Sequence, residues 1–249
     1  MVRVIGGVAR GRRLKAKLPS SVRPTTDYAR EAIFSMLESR GGLRDLVVAD
    51  LFSGSGAMGI EALSRGAKKV YFVDADPACL AAAKANLEPL GLAGEAYFVR
   101  ATLPLWSPPR DLDLVLADVP CSGTGTLGRN PEIRHRLQLE DFARQAERQR
   151  AILTAALGAV RPGGCVVYST CSLETEENEQ VVAAALGTTP NARPVSLEPR
   201  IEALLAEGIL TASGADRLRS CLTAEGSLRL LPGIFPTDGF FIALMERTA

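Results

Sequence analysis

Histidine and paired cysteines are scarce in this chain of 249 residues. There is one histidine, His135, and the five cysteines include no C-x-x-C pair. Zinc sites are built from clusters of these ligands, so we expect no bound metal. An odd number of cysteines also argues against a disulfide scaffold. We therefore expect each cysteine to be either a small packing residue or a reactive thiol.

Long apolar runs are missing too. No stretch of eighteen apolar residues occurs, and the basic N-terminus lacks the apolar segment of a secretory signal. The hydrophobic content of 47% is enough for a packed core, which argues against a disordered chain. We expect a cytoplasmic protein that forms no membrane contact and is a monomer.

The net charge is only +1, but the charges are unevenly distributed. Residues 1–44 hold ten lysines and arginines against three acids. Arg10, Arg12 and Arg13 lie close together in this segment, and such a cluster suits a nucleic-acid phosphate backbone. A solvated basic hairpin is the alternative. We interpret residues 1–44 as a basic N-terminal extension and residues 45–249 as one domain.

Short apolar runs alternate with helical segments and predict the fold of that domain. The runs are LVVADL, KVYFVD, AYFV, DLVLAD and GCVVYST. Because they are apolar on both faces, they are typical of a parallel sheet covered by helices. The C-terminal stretch LRLLPGIFPTDGFFIALMER predicts an antiparallel edge pair. We predict an α/β, doubly wound, Rossmann-like fold: a mostly parallel seven-stranded sheet with an antiparallel edge strand.

The N-terminal extension has its own local pattern. VRVIGGVARGRRL predicts a short hairpin, and a helix is expected to follow through about Ser39. Thr26 or Asp27 is a suitable cap for that helix, while Ile33, Phe34 and Leu37 give it an apolar stripe.

The glycine-rich loop after the first strand indicates a cofactor site. Gly54, Gly56 and Gly59 have G-x-G-x-x-G spacing, and Asp74 lies twenty residues beyond Gly54. Read alone, that spacing is the dinucleotide fingerprint. Asp50, at the end of the preceding strand, would repel a pyrophosphate but would attract a cationic group. S-adenosylmethionine (AdoMet) carries an ammonium and a sulfonium, so the loop favours AdoMet. A glycine turn that serves only helix packing is the alternative.

We expect AdoMet to lie along this loop and the neighbouring strand ends. Asp50 would face its amino-acid end, and Asp74 would accept hydrogen bonds from both ribose hydroxyls. The expected contact residues are Asp50, Phe52, Ser53, Gly54, Ser55, Gly56, Asp74, Ala75, Asp118 and Pro120.

Two of the five cysteines directly follow strands. Cys121 comes after DLVLAD, and Cys171 comes after CVVYS. Ligands bind at the carboxyl ends of strands in a doubly wound sheet, so we expect both thiols at the cofactor cleft. The remaining cysteines are expected to be packing residues: Cys79, Cys165 and Cys221.

A thiol beside a methyl donor suits methylation of a pyrimidine at C5. Addition of a thiolate at C6 makes C5 nucleophilic, and Asp118 is placed to hydrogen-bond the N3 edge of the ring. Cys171 is expected at the start of a helix from about Glu174 to Leu186, whose dipole favours a thiolate. Three acids in the first turns oppose that effect, namely Glu174, Glu176 and Glu177. The residues by themselves leave open which cysteine adds.

Residues from about Asp111 to Arg247 resemble the RsmB/Sun-type ribosomal RNA cytosine-C5 methyltransferases. The resemblance is carried by DLDLVLADVPCSGTGTLGRNPEIRHRL, RPGGCVVYSTCSLETEENEQVV and the C-terminal stretch already quoted. It implies that Cys171 forms the covalent bond to the base, that Cys121 helps to release the product, and that Asp118 recognises the base.

The first hundred residues resemble a different family. RVIGGVARGRRL, RPTTDYAREAIFSML and the stretch from Asp50 to Ala67 are similar to the RsmD-type methyltransferases, which modify guanine N2 in 16S ribosomal RNA. The (N/D)-P-P-(Y/F) motif of guanine-N2 enzymes is replaced here by Asp118-Val119-Pro120-Cys121. We therefore predict a hybrid chain with a join near residues 99–102.

These observations favour an AdoMet-dependent 16S rRNA cytosine-C5 methyltransferase. We expect RNA contacts from Arg10, Arg12, Arg13, Arg129 and Arg134. The rival interpretations are a guanine-N2 methyltransferase, a non-catalytic protein that binds AdoMet and RNA, and a dehydrogenase.

Overall fold

A computed structural model describes residues 2–16, 25–109 and 111–248 of the chain. It divides into two compact units. The first comprises residues 1–118 and 159–164, and the second comprises residues 119–158 and 165–249.

The first unit contains a parallel sheet that carries the glycine-rich loop. Its elements after the N-terminal extension are β1 (Val47–Leu51), α2 (Ala57–Ser64), β2 (Lys69–Asp74), α3 (Pro77–Leu87), β3 (Glu95–Arg100) and β4 (Leu112–Asp118). β1 pairs in parallel with both β2 and β4, and β2 pairs in parallel with β3, which gives the order β3-β2-β1-β4. Strand β1 therefore lies centrally, and its buried residues account for its continuous apolar run.

The N-terminal extension folds as the predicted hairpin and helix. Arg3 pairs with Arg13 in an antiparallel bridge, and helix α1 (Asp27–Glu38) is capped by the Thr26 side chain. The hairpin packs on α2 through the buried carboxylate of Glu61, which accepts hydrogen bonds from the backbone N–H groups of Ile5 at 2.7 Å and Gly6 at 2.6 Å. The hairpin is thus fixed to α2 by its backbone, and the Arg12 side chain adds a contact to the Pro89 carbonyl.

The second unit is built around antiparallel pairing. Its elements are α4 (Ile133–Arg136), α5 (Leu139–Ala159), β5 (Val160–Thr170), α6 (Glu179–Gly187), β6 (Ala192–Val195), α7 (Glu198–Ala206), α8 (Ala212–Arg219), β7 (Leu228–Leu230) and β8 (Phe240–Arg247). The first residues of β5 and the last residue of α5 belong to the first unit. β8 runs antiparallel to β5, β6 and β7.

The predicted Rossmann-like α/β class and the C-terminal antiparallel pair are confirmed. Two details differ from the prediction. The described residues form eight strands instead of seven, because the four-residue strand β6 carries no alternating pattern that would reveal it. Helices α7 and α8 lie between α6 and the C-terminal strand pair, in a less regular stretch for which no helix was predicted. Across the described ranges, no helix is both long and apolar enough to cross a membrane.

Candidate active site

The glycine-rich loop connects β1 to α2 in the first unit. Gly56 has φ +76°, a left-handed conformation that favours glycine, and a Cβ atom there would lie 2.9 Å from the Cβ of Ala83. At Gly59 a Cβ would lie 2.4 Å from a ring carbon of Phe72. Close helix packing therefore accounts for these two glycines by itself.

Asp50 supplies a buried carboxylate beside this loop. Its side chain accepts a hydrogen bond from the backbone N–H of Gly59 at 2.8 Å, and the residue is 2% exposed. Burial raises the pKa of Asp50 well above its usual range, and the nearby carboxylates of Asp118 and Asp74 raise it further. A cation at this position would relieve that electrostatic cost.

Ser53 and Asp74 add polar groups to the same region. The Ser53 hydroxyl is buried and has no hydrogen-bond partner within the described part of the chain. Asp74 is half-buried, and its two oxygens accept from the backbone N–H groups of Gly54 at 3.0 Å and Asp76 at 2.9 Å. Each carboxylate oxygen can still accept a second hydrogen bond. An orphaned hydroxyl and two carboxylates around one loop fit a polar ligand with both cationic and hydroxyl groups.

The other predicted contact residues have varied surroundings. Phe52 has φ 59°, and Ala75 is exposed after β2. The backbone carbonyl of Ser55 accepts a hydrogen bond from the Asn86 side chain at 3.0 Å. In the second unit, the carbonyl of Pro120 accepts from the Gln149 side-chain amide at 2.9 Å. The side chains of Asn86 and Gln149 thus hold the backbone at two predicted contact residues. Neither side chain was expected in this role from the sequence.

Cys121 and Cys171 meet in the second unit, although fifty residues separate them. Their sulfur atoms are 3.4 Å apart, and both residues are partly exposed. By contrast, Cys79 and Cys221 are buried as packing residues, while Cys165 is partly exposed on β5. The hydrogen bond to Cys171 raises the pKa of Cys121 well above its usual range, with burial as the next cause. Cys121 is therefore held as the neutral thiol.

The two cysteine-bearing loops share a buried polar network centred on Glu177. Its carboxylate accepts from the Ser122 backbone N–H at 2.8 Å and from the Gln149 side chain at 3.1 Å, and the Ser122 hydroxyl also donates to it. Ser122 and Ser172 hydroxyls lie 3.1 Å apart. Sequence reasoning missed Gln149 as a site residue. It occupies the buried stripe of α5 with Ile152 and Leu153, and a polar residue in an apolar stripe was the available signal.

A close backbone approach further ties these loops together. The Gly125 N–H donates to the Cys171 carbonyl at 2.9 Å, and the Gly239 N–H donates to the Gly125 carbonyl at 2.8 Å. A Cβ at Gly125 would lie 2.5 Å from the Gly239 oxygen. The position of Cys171 is thus set by backbone contacts as well as by side chains.

The expected helix start near Cys171 is wrong. A short 3-10 turn covers Thr175–Glu177, and α6 begins only at Glu179, eight residues after Cys171. Asn178, with φ −117° and ψ −100°, interrupts the helical backbone between this turn and α6. The helix dipole therefore supplies no argument for a Cys171 thiolate.

Asp118 ends β4 in the first unit and is half-buried. The hydroxyl of Thr25, just before α1, donates a hydrogen bond to its carboxylate. Neither the glycine loop nor the strand pattern pointed to Thr25.

The predicted RNA-binding arginines are all exposed. Arg12 donates to the Pro89 carbonyl at 3.0 Å, and it lines a cavity of about 640 Å³ together with Arg13 and Lys15. Arg129 is paired with Asp238, which offsets part of its charge, whereas Arg134 donates to the Pro131 carbonyl at 3.4 Å.

Comparison with known proteins identifies the family to which this chain is similar. A family profile described as 16S rRNA methyltransferase RsmB/F matches residues 48–246. Ribosomal RNA small subunit methyltransferase B of Vibrio cholerae is 32% identical over 180 residues, which cover 72% of this chain and 36% of that protein. Ribosomal RNA small subunit methyltransferase F of Serratia proteamaculans is 36% identical over 139 residues, covering 56% of this chain and 26% of that protein. The chain thus spans well under half of each relative's length.

A solved structure shows the same fold. NSun6 from Pyrococcus horikoshii, crystallised with SFG, superposes with a TM-score of 0.63 at 23% identity and covers 94% of this chain and 57% of that chain. The family match begins at residue 48, so it includes the glycine loop and crosses the predicted join at residues 99–102.

Proposed function

Because this chain belongs to the RsmB/F family of 16S rRNA methyltransferases, we propose that it methylates C5 of a cytosine in 16S ribosomal RNA with AdoMet as donor. The observation that carries the proposal is the 3.4 Å separation of the Cys121 and Cys171 sulfur atoms. Two thiols at one place suit a reaction in which one sulfur adds to a ring carbon and the second acts when the first must leave.

The residues of the first unit fit AdoMet. Asp50 offers a buried negative charge for the amino-acid end, Ser53 a free hydroxyl, and Asp74 a half-exposed carboxylate for the ribose. The other proposed cofactor contacts in this unit are Phe52, Gly54, Ser55, Gly56, Ala75 and Asp118, and Pro120 of the second unit completes the proposed set. When bound, AdoMet supplies an electrophilic methyl group on its sulfonium.

The chain's own side chains would divide the reaction between them. The Cys171 thiolate adds to C6, and Asp118 hydrogen-bonds the N3 edge where charge develops. C5 then accepts the methyl group and loses its proton to a base, after which the C6–S bond breaks and its electron pair returns to Cys171. Cys121, whose sulfur lies 3.4 Å from that of Cys171, would assist this release. The cytosine must be unstacked for C6 to be reached.

Contacts to RNA are proposed for the exposed basic residues. Arg10, Arg12 and Arg13 form one group on the N-terminal hairpin, and Arg134 lies on α4. Arg129 contributes less, because Asp238 already pairs with it. We further propose that the chain acts as a monomer in the cytoplasm, which light scattering of the purified protein and cell fractionation would check.

Methyl transfer to defined RNA tests the proposed function. The purified chain is incubated with methyl-labelled AdoMet and either naked 16S RNA or 30S particles, and the RNA is then digested to nucleosides. We expect labelled 5-methylcytidine. N2-methylguanosine would support the guanine interpretation instead, and AdoMet binding without transfer to either RNA would identify a non-catalytic binding protein.

We also propose that residues 1 to about 100 have a separate, RsmD-like ancestry. The support is the loop DLFSGSGAMGIEALSRGA, where RsmB-type chains resemble CAAPGGKT, together with a hairpin and α1 that precede the family match. Phylogenetic trees built separately from residues 1–98 and 103–249 test this. A hybrid gives two incompatible placements, and a single placement for both segments contradicts it.

A further inference from the structure

We propose that Glu177 is the positioning residue that holds the Cys121 loop against the Cys171 loop, so that both sulfurs act on one base. The inference rests on the proposed function. Glu177 lies six residues after Cys171 in the short turn before α6, and its side chain is fully buried.

The carboxylate of Glu177 binds the Cys121 loop directly. It accepts from the backbone N–H of Ser122, the neighbour of Cys121, at 2.8 Å and also from the Ser122 hydroxyl. The Gln149 amide donates to the same carboxylate at 3.1 Å and to the Pro120 carbonyl at 2.9 Å. Glu177 therefore contacts both a residue after Cys121 and the side chain that holds a residue before it.

The backbone of Glu177 is fixed on the Cys171 side. Its carbonyl accepts the Tyr168 hydroxyl at 2.6 Å, three residues before Cys171. The next residue, Asn178, accepts from Thr170 at 2.6 Å and donates to the Ser172 carbonyl at 3.0 Å. These bonds anchor Glu177 to the residues on both sides of Cys171.

A carboxylate is suited to this position because the groups that contact it are mostly hydrogen-bond donors. The Ser122 N–H and the Gln149 amide are buried or partly buried, and each would be left without this acceptor if Glu177 were truncated. The Cys121 loop would then lose its link to the turn behind Cys171, and the sulfur separation of 3.4 Å would no longer be held. Misplacement of a reacting group by about 1 Å can reduce a rate by about 100-fold.

Thiol cross-linking tests the positioning without RNA or AdoMet. Dibromobimane, which bridges two nearby thiols, is applied to the full chain, and the Cys121–Cys171 cross-link is identified by peptide mass spectrometry. We expect Glu177→Ala to reduce the yield of this cross-link at least fivefold and Glu177→Gln, which keeps the shape and one acceptor oxygen, to restore most of it. The matched control is Glu176→Ala, which removes an exposed glutamate next to Glu177 and should match the wild type.

The kinetics of RNA methylation give the second measurement. With Glu177→Ala we expect kcat to fall 10-fold or more at unchanged KM for RNA, with a protein–RNA adduct that survives denaturant because release by Cys121 fails. An unchanged cross-link yield and unchanged kcat overturn the inference. The inference is also overturned if Glu177→Ala and Glu177→Gln both lose thermal stability and both lose the cross-link. If the wild type makes no 5-methylcytidine while the cross-link depends on Glu177, the proposed function fails and the positioning role stands.

Discussion

Cys121 and Cys171 contact each other but have different surroundings. Cys121 is next to Ser122, whose N–H and hydroxyl are bound by Glu177, and the pKa of the Cys121 thiol is raised by its hydrogen bond to Cys171 and by burial. Cys171 has its carbonyl fixed by the Gly125 N–H. Two thiols this close do not both ionise readily, because like charges repel. The raised pKa keeps Cys121 protonated, which agrees with its proposed role as the sulfur that does not attack.

The first prediction concerns these two cysteines. Cys171→Ala should abolish methyl transfer while AdoMet affinity stays within about twofold of the wild type, since the attacking sulfur is lost but the cofactor residues are intact. Cys121→Ala should accumulate a protein–RNA adduct, because the base is still attacked but released slowly. Denaturing gels and calorimetric AdoMet titration measure both effects. Identical behaviour of the two variants would show that the roles are not divided in this way.

The second prediction concerns Asp50 and pH. Burial raises the pKa of Asp50 in the folded chain above that of the unfolded chain. The stability linked to this group is therefore fully present below the unfolded pKa and is lost as the pH rises through the folded-state value. The Tm of Asp50→Asn relative to the wild type should rise as the pH increases from the ordinary carboxyl range through the raised folded-state pKa of Asp50, by roughly 2–4 °C for each kcal/mol involved.

Binding gives the counterpart of that measurement. Asp50→Asn should weaken the binding of AdoMet because the buried negative charge is removed. The same substitution should raise the stability of the ligand-free protein at higher pH. A Tm difference that does not change with pH would contradict the ionisation of Asp50, and unchanged AdoMet affinity would contradict its place in the site.

At the level of secondary-structure elements, Thr25, just before α1, links the N-terminal extension to Asp118 at the end of β4. Thr25 and Thr26 are adjacent but do different things: the Thr25 hydroxyl donates to Asp118, while the Thr26 side chain caps α1 by accepting from the Ala29 N–H at 3.3 Å. The family match starts at residue 48, so Thr25 lies outside the match and Asp118 lies inside it. The two threonines therefore form a matched pair for experiment.

The third prediction uses that pair. Thr25→Val should lower kcat/KM for RNA by about tenfold, which corresponds to about 1.5 kcal/mol for a hydrogen bond to a charged group. Thr26→Ala should instead cost about 1 kcal/mol of stability through the lost cap, with kcat/KM unchanged. Steady-state kinetics and thermal unfolding of both variants separate the effects. Equal kcat/KM values for Thr25→Val and the wild type would show that this hydroxyl does not tune Asp118.

For the whole molecule, the distribution of charge matters more than its total. The net charge is +1, yet the N-terminal hairpin presents exposed arginines and is bound to α2 through Glu61. The hairpin thus adds a fixed cationic surface to the glycine-loop unit. Such a surface binds phosphates largely by counterion release, which depends strongly on salt.

The fourth prediction measures this surface. Replacement of Arg10, Arg12 and Arg13 by alanine should weaken RNA binding. It should also make the slope of log K against log salt shallower by about 0.7 for each phosphate of single-stranded RNA that the arginines no longer neutralise. AdoMet affinity should not change. The charge-matched control replaces exposed residues elsewhere in the same unit: Arg44, Lys68 and Lys84. Equal slopes for the two triple variants would mean that the hairpin is merely solvated.

Much of the fold was determined by local sequence. The apolar runs of β1, β2 and β4, the cap of α1 and the glycine loop were recognised because each depends on neighbouring residues along the chain. The placement of Cys121 and Cys171 after strands was equally visible. Short β6 and helices α7 and α8 were missed. β6 has only four residues, and each helix buries a single residue, Ile201 in α7 and Ala215 in α8, so that no apolar stripe marks these elements along the chain.

Only the tertiary structure decided how the pieces of the site meet. The sulfur separation of 3.4 Å, the Glu177 carboxylate on Ser122 and the Thr25 hydroxyl on Asp118 join residues that are 50, 55 and 93 positions apart. Periodicity carries no information about such distances, since it reports which face of an element is buried and not what that face will touch. Buried donors and acceptors must find partners wherever the folded chain brings them, and that requirement fixed Glu177 in a place where the sequence predicted a helix turn.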